Sequence, residues 1–129
     1  MRSHSQSTGD VAFTLKPGAF HSFKFTVPSD HENASLKGTF SVAARNGNEI
    51  EVFVLNEEDY ISWQNGYTTY RYYDSGSVWQ GALDVPLLAD TAGTYYIVFD
   101  NDTRAVTAIN VRTNMALIYF TRWWPGTDN

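Results

Sequence analysis

Apolar and polar residues alternate along most of this chain with a period of two, the pattern of strands with one face buried. Val11 to Leu15 reads as a short first strand, closed by Pro17-Gly18. Phe20 to Val27 follows, with Phe23, Phe25 and Val27 on one face and Ser22, Lys24 and Thr26 on the other. Leu36 to Ala43 sets Leu36, Phe40 and Val42 against Lys37, Thr39 and Ser41. Asn46-Gly47 then supplies a hairpin turn, because both residues tolerate positive φ. Ile50 to Leu55 is the next strand, with Ile50, Val52 and Val54 facing one way.

The alternation breaks at Asn56-Glu57-Glu58-Asp59, which reads as a helix N-cap followed by acids in the first turn, where the helix dipole favours them. The pattern predicts one or two helical turns between Glu57 and Asn65, closed by Gly66 in the left-handed conformation. Tyr70 to Asp74 is predicted to resume as a strand, Ser75-Gly76-Ser77 to turn it, and Val78 to Val85 to form another strand with Trp79, Leu83 and Val85 on one face. Pro86 marks its end. Thr94 to Asp100 is apolar on both faces and is predicted to be a central strand. Val106 to Tyr119 is a long last strand, expected to bend or bulge at a sandwich edge. Eight closely spaced strands with one short helix and no βαβ alternation predict an all-β fold, an antiparallel β-sandwich or jelly roll. Period and size place Phe23, Phe25, Phe40, Val42, Val52, Val54, Ile97, Phe99, Ile109, Val111 and Leu117 in its core.

A length of 129 residues fits one domain. The expected division is a disordered polar leader at 1–10, the sandwich at 11–122 and a tail at 123–129. The leader lacks the apolar stretch of a signal peptide. With no cysteine, disulfides and thiolate metal sites are excluded, and the chain is compatible with either an extracytoplasmic or a cytoplasmic compartment. No apolar run is long enough to span a bilayer. Nine Lys and Arg stand against 14 Asp and Glu, for a net charge of −5. The cations are scattered singly, which argues against nucleic acid and against an anionic membrane surface as partners.

Candidate chemistry is sparse. No nucleophile elbow is present, His4, His21 and His31 lack metal-ligand spacing, and no catalysis or cofactor is expected. Asp100-Asn101-Asp102-Thr103 offers three hard side-chain oxygens to a calcium ion, against the plainer reading of a turn. The anomaly is aromatic density. Tyr60, Trp63, Tyr67, Tyr70, Tyr72, Tyr73 and Trp79 fall within 20 residues, where the chain-wide share of 16% gives about three. Tyrosine and tryptophan join an apolar body to a polar tip, which suits a partner-binding face. Three readings stay open here: a thick core under the helix, a protein-recruiting face with Arg71, Asp74 and Gln80 in its polar rim, and a platform on which a sugar stacks. Trp123-Trp124 is a second anomaly, read as closing the end of the sandwich or docking a partner.

Three patterns resemble the GOLD domain, the β-sandwich of p24-type Golgi trafficking proteins. They are Gly93-Thr94-Tyr95-Tyr96-Ile97-Val98-Phe99-Asp100-Asn101, then Phe23-Lys24-Phe25-Thr26-Val27-Pro28, and Glu49-Ile50-Glu51-Val52-Phe53-Val54-Leu55 with the helix-like insert after it. The last is similar to bacterial GOLD-like proteins of unknown role. The resemblance spans roughly Leu15 to Tyr119 and implies a non-catalytic module that recruits protein or lipid-associated cargo. The paired cysteine of p24 proteins has no counterpart here. The function expected is recruitment of a protein partner, with a carbohydrate-binding module as the alternative and a self-assembling structural protein third.

Overall fold

The computed structural model describes residues 2–29, 31–43, 49–87, 93–101 and 107–121. Within them the chain forms β1 (Arg2–Ser7), β2 (Val11–Leu15), β3 (Phe20–Val27), β4 (His31–Val42), β5 (Ile50–Asn56), α1 (Glu57–Gln64), β6 (Tyr73–Val78), β7 (Gln80–Pro86), β8 (Gly93–Asp100) and β9 (Ile109–Thr121). The strands make two antiparallel sheets. The larger runs β1-β9-β4-β7, with β2 also on β9, and the smaller runs β3-β8-β5-β6. This is the predicted β-sandwich.

The alternating residues meet between the sheets. Leu36, Phe40, Val42, Val111, Met115 and Leu117 come from the larger sheet, and Phe25, Val52, Val54, Ile97 and Phe99 from the smaller; all are buried in one cluster. Phe23 is half-buried because β3 is an edge strand, and it packs edge-on against Phe99 at 5.8 Å between ring centroids. Phe40 lies over Gly81, its cross-strand partner, where a Cβ would come within 2.6 Å of the ring. The glycine is the space the ring needs.

Three expectations are corrected. The segment read as a disordered leader carries β1, which pairs with β9 from Arg2↔Thr121 to Ser7↔Ala116. A ladder is made by backbone groups, so serine and glutamine suffice where an unfilled edge is on offer. Gln6 goes further. Its amide donates to Thr26 O at 2.7 Å and accepts from Thr26 N at 3.2 Å, tying β1 to β3 of the other sheet. The 13-residue β9 therefore holds two strands end to end on one flank, since β2 pairs with it from Val11↔Thr113 to Leu15↔Ile109.

The second correction is that the strand after the helix starts at Tyr73, not Tyr70. The third is that Ser75-Gly76-Ser77 lies inside β6 as a bulge rather than a turn. The register slips between Glu51 and Phe53, Gly76 sits at φ 65, and Ser75 Oγ takes the Val52 N–H at 2.9 Å that the slip leaves unpaired. The change of sheet falls at Trp79 instead, between β6 and β7. The Asn46-Gly47 turn lies outside the described residues.

Candidate functional site

The smaller sheet carries a second apolar cluster on its outer face. Phe53, Leu55 and Val98 point away from the main core, yet they are buried, because Tyr60, Trp63 and Tyr96 pack over them. Helix α1 supplies Tyr60 and Trp63, while Tyr96 stands on β8 beside Val98 and lies under Tyr60. Asn56 Oδ1 accepts the Asp59 N–H at 2.7 Å as the N-cap, and Glu57, Glu58 and Asp59 occupy the positive end of the helix. Tyr60 stacks on Tyr96 with centroids 3.8 Å apart, and its hydroxyl lies 2.7 Å from Ser22 Oγ. Trp63 packs edge-on against Phe53 at 5.1 Å and against Phe20 at 4.9 Å.

The helix ends in a Schellman motif. Gly66 N–H donates to Trp63 O at 3.0 Å, Tyr67 N–H donates to Ser62 O at 3.1 Å, and Gly66 sits at φ 88. This turn sends the chain outward, so that Tyr67 and Tyr70 stand 69% and 67% exposed. It returns at Tyr72, whose N–H donates to Val54 O and whose ring meets Tyr95 at 5.6 Å. Between departure and return lies an open groove of about 600 Å³, lined by Trp63, Tyr67, Thr69, Tyr70, Arg71 and Asp74 among others.

Arg71 braces this groove. Its Nη1 donates to Asp74 at 2.9 Å and to Glu51 at 3.2 Å, and the guanidinium lies 3.8 Å above the centre of the Phe53 ring. Burial first, and then the neighbouring Asp74 carboxylate, push the Glu51 carboxyl above its ordinary 4.5, while Arg71 works in the other direction. Burial and Asp74 likewise push the Tyr73 phenol above its ordinary 10.0. On the groove wall, Thr69 Oγ1 is shut from solvent and makes no hydrogen bond among the described residues. Unmet polar groups of this kind are rare in native structures.

The structure thus divides the aromatic segment. Trp63, Tyr67, Tyr70 and Arg71 come together at the groove. Tyr60 is taken up by the outer cluster, and Tyr72 and Tyr73 pack onto the main core. Trp79 follows the far end of β6, where Ile50 pairs with Val78, and does not join them. Asp74, expected in the polar rim, lines the groove beside Arg71, whereas Gln80, expected there too, lies on β7 of the other sheet. Glu51 is the residue the aromatic pattern missed, since a lone carboxylate in a strand carries no signal until its register is known. Asn101 is buried, and its Nδ2 donates to Leu15 O, Lys16 O and Thr107 O at 3.1–3.2 Å, a brace between loops. Asp102, Trp123 and Trp124 lie outside the described residues. Among the described residues no three His, Asp or Glu side chains gather as metal ligands, and no helix is long and apolar enough to cross a membrane.

No family model and no curated protein matches the sequence. Solved structures match in fold. A mitogen derived from Yersinia pseudotuberculosis aligns with 92% of this chain and 86% of its own, at TM-score 0.54 and 7% identity. The capsid of cyanophage Pam1 aligns over 93% and 85%, at TM-score 0.53 and 14% identity. FLHE aligns over 93% and 98%, at TM-score 0.51 and 9% identity. At these identities the likeness is one of fold alone.

Proposed function

We propose that this chain is a non-catalytic binding module that recruits a protein partner through the groove between α1 and β6. The observation that carries the reading is the pair of tyrosines, Tyr67 and Tyr70, standing two-thirds exposed beside an otherwise well-packed aromatic cluster. A core has no use for them there. A partner would use them as rigid anchors, at low entropic cost, with Arg71 and Asp74 forming the polar rim. The resemblance to GOLD domains leads to the same class of role, while the fold itself selects none. The site's ionisable groups support a non-catalytic reading, since Glu51 and Asp74 are both engaged in holding Arg71.

A sugar ligand is the second reading, favoured by one observation: an exposed ring, Tyr70, next in sequence to a fixed guanidinium and lining the same groove as a carboxylate. Pull-down with the wild-type chain, followed by binding measurements on the partner so identified, tests the first reading. Tyr67→Ala with Tyr70→Ala is expected to weaken that binding at least about tenfold, as hot-spot tyrosines do. A silent pull-down, with glycan-array binding that disappears in the same variant, would transfer the site to the sugar reading. If the variant binds everything the wild type binds, both fail.

A further inference from the structure

The outer face of the larger sheet holds a second open depression, of about 510 Å³, with chemistry unlike the aromatic groove. Its layout follows from register. Arg112 on β9 stands between Ala12 on β2 and Ser41 on β4, and Ser41 is flanked in turn by Gln80 on β7. One step along, Asn114 pairs with Thr39, which pairs with Ala82. Asn114 Nδ2 donates to Asp10 Oδ1 at 2.8 Å. A long exposed cation therefore rises from a floor of short side chains, ringed by hydroxyls and amides, with one carboxylate, Asp10, also on the lining and held by the Asn114 amide. The three ion pairs among the described residues occupy Lys37, Arg71, Glu51, Asp74 and Asp84, and none engages Arg112.

From this arrangement we propose that the depression binds a sugar acid, a hydroxylated ring bearing one carboxylate, with Arg112 holding the carboxylate. A single guanidinium matches one carboxylate through two parallel N–H···O bonds. A phosphate is poorly served, because it calls for a second cation or a nest of free backbone N–H groups, and the backbones of β4 and β9 are paired on both sides. A protein partner is poorly served too, since no exposed large apolar side chain lines the depression to act as an anchor. Thr39, Ser41, Gln80 and Asn114 instead form a grid, spaced about 4.8 Å across strands and about 6.8 Å along them, that a rigid polyhydroxylated ring meets at several points. This site is independent of the aromatic groove and stands or falls without it.

The test is an NMR titration of the full chain with galacturonate, oligogalacturonate, galactose, acetate and inorganic phosphate. Saturable shifts centred on Ser41, Thr39, Arg112 and Asn114 are expected with the two uronates, and binding of galactose at least about tenfold weaker. Arg112→Gln is expected to lose the uronate tenfold or more. Ser41→Asp, which gives Arg112 an internal partner, should do the same, while Tyr67→Ala with Tyr70→Ala leaves binding unchanged. Stronger binding of the oligomer identifies a polysaccharide source, and equal binding a free sugar acid. No saturable shift at millimolar uronate overturns the proposal. So do equal responses to acetate or phosphate, shifts centred on the aromatic groove, or full affinity in both Arg112→Gln and Ser41→Asp.

Discussion

The two outer faces of this sandwich are built on equivalent antiparallel sheets and have opposite fates. On the larger sheet, Lys37, Thr39, Ser41, Arg112 and Asn114 point outward from β4 and β9, and this part of the face stays open to water. On the smaller sheet, Phe53, Leu55, Val98 and Tyr96 point outward from β5 and β8, and α1 covers them. The difference is one of strand parity. Where alternation is kept, as in Leu36 to Val42, one core suffices. In Ile50 to Leu55 and Tyr95 to Phe99 it is lost, and α1 buries the surplus apolar face. The Met115 to Phe120 end of β9 instead leaves Ile118 and Phe120 half-buried on the outer face. The cover is incomplete, and Tyr67 and Tyr70 mark where it stops.

Phe53 carries the largest expected difference between the two faces. Phe53→Ala should cost about 3–5 kcal/mol in denaturant melts, as for any fully buried aromatic, although it lies outside the main core. Thr39→Ala on the bare face should change stability by less than about 0.5 kcal/mol. Equal effects would mean that the helix layer is loose. Next in size is the cap of that layer. Asn56→Ala should cost about 1 kcal/mol by stripping the acceptor from the Asp59 N–H, and Asn56→Asp should restore most of it.

A pH experiment sharpens the same contrast. The Glu51 carboxyl titrates higher in the folded chain than its ordinary 4.5. The native state therefore holds this proton more tightly than the unfolded one. The stability that the group contributes is complete below pH 4.5 and is lost as pH rises through the raised folded value. Glu51→Gln should flatten that part of the stability–pH curve and cost little near neutrality, because Asp74 still holds Arg71. An unchanged curve would show that burial at Glu51 is relieved in solution. The smallest effect belongs to the bare face. Lys37→Ala should change stability by less than about 0.5 kcal/mol, since its 3.8 Å contact with Asp84 lies between exposed side chains.

Much of this was legible in the sequence. The paired faces of Phe20–Val27 and Ile50–Leu55, the Asn56 cap and the Gly66 stop each follow from local chemistry, and each stands in the structure. What failed to show was long-range. Nothing in Arg2–Ser7 announces a strand, because its partner, β9, lies more than 100 residues away and recognises backbone rather than side chains. Ser75-Gly76-Ser77 has the composition of a turn and becomes a bulge, because Val52 offers a backbone N–H at the matching place. The groove was half visible. Its tyrosines stood out by density, but which of them face water depends on where α1 ends. Arg71 needed the register of β5 against β6 to find Glu51.

The position of β9 has a consequence for how the molecule is made. Ribosomes deliver chains from the N-terminus, and β1, β2 and β4 all emerge before the strand that joins them. Until residues 109–121 are available, the larger sheet has no centre, and β1 and β2 have no edge to pair with. The smaller sheet can gather β3, β5, β6 and β8 before that point. The order of synthesis thus allows the smaller sheet to gather ahead of the larger. A nascent chain halted just before Ile109 would present β1 and β2 without a partner and β4 with only its β7 flank filled, the condition in which polypeptides pair with one another instead of with themselves.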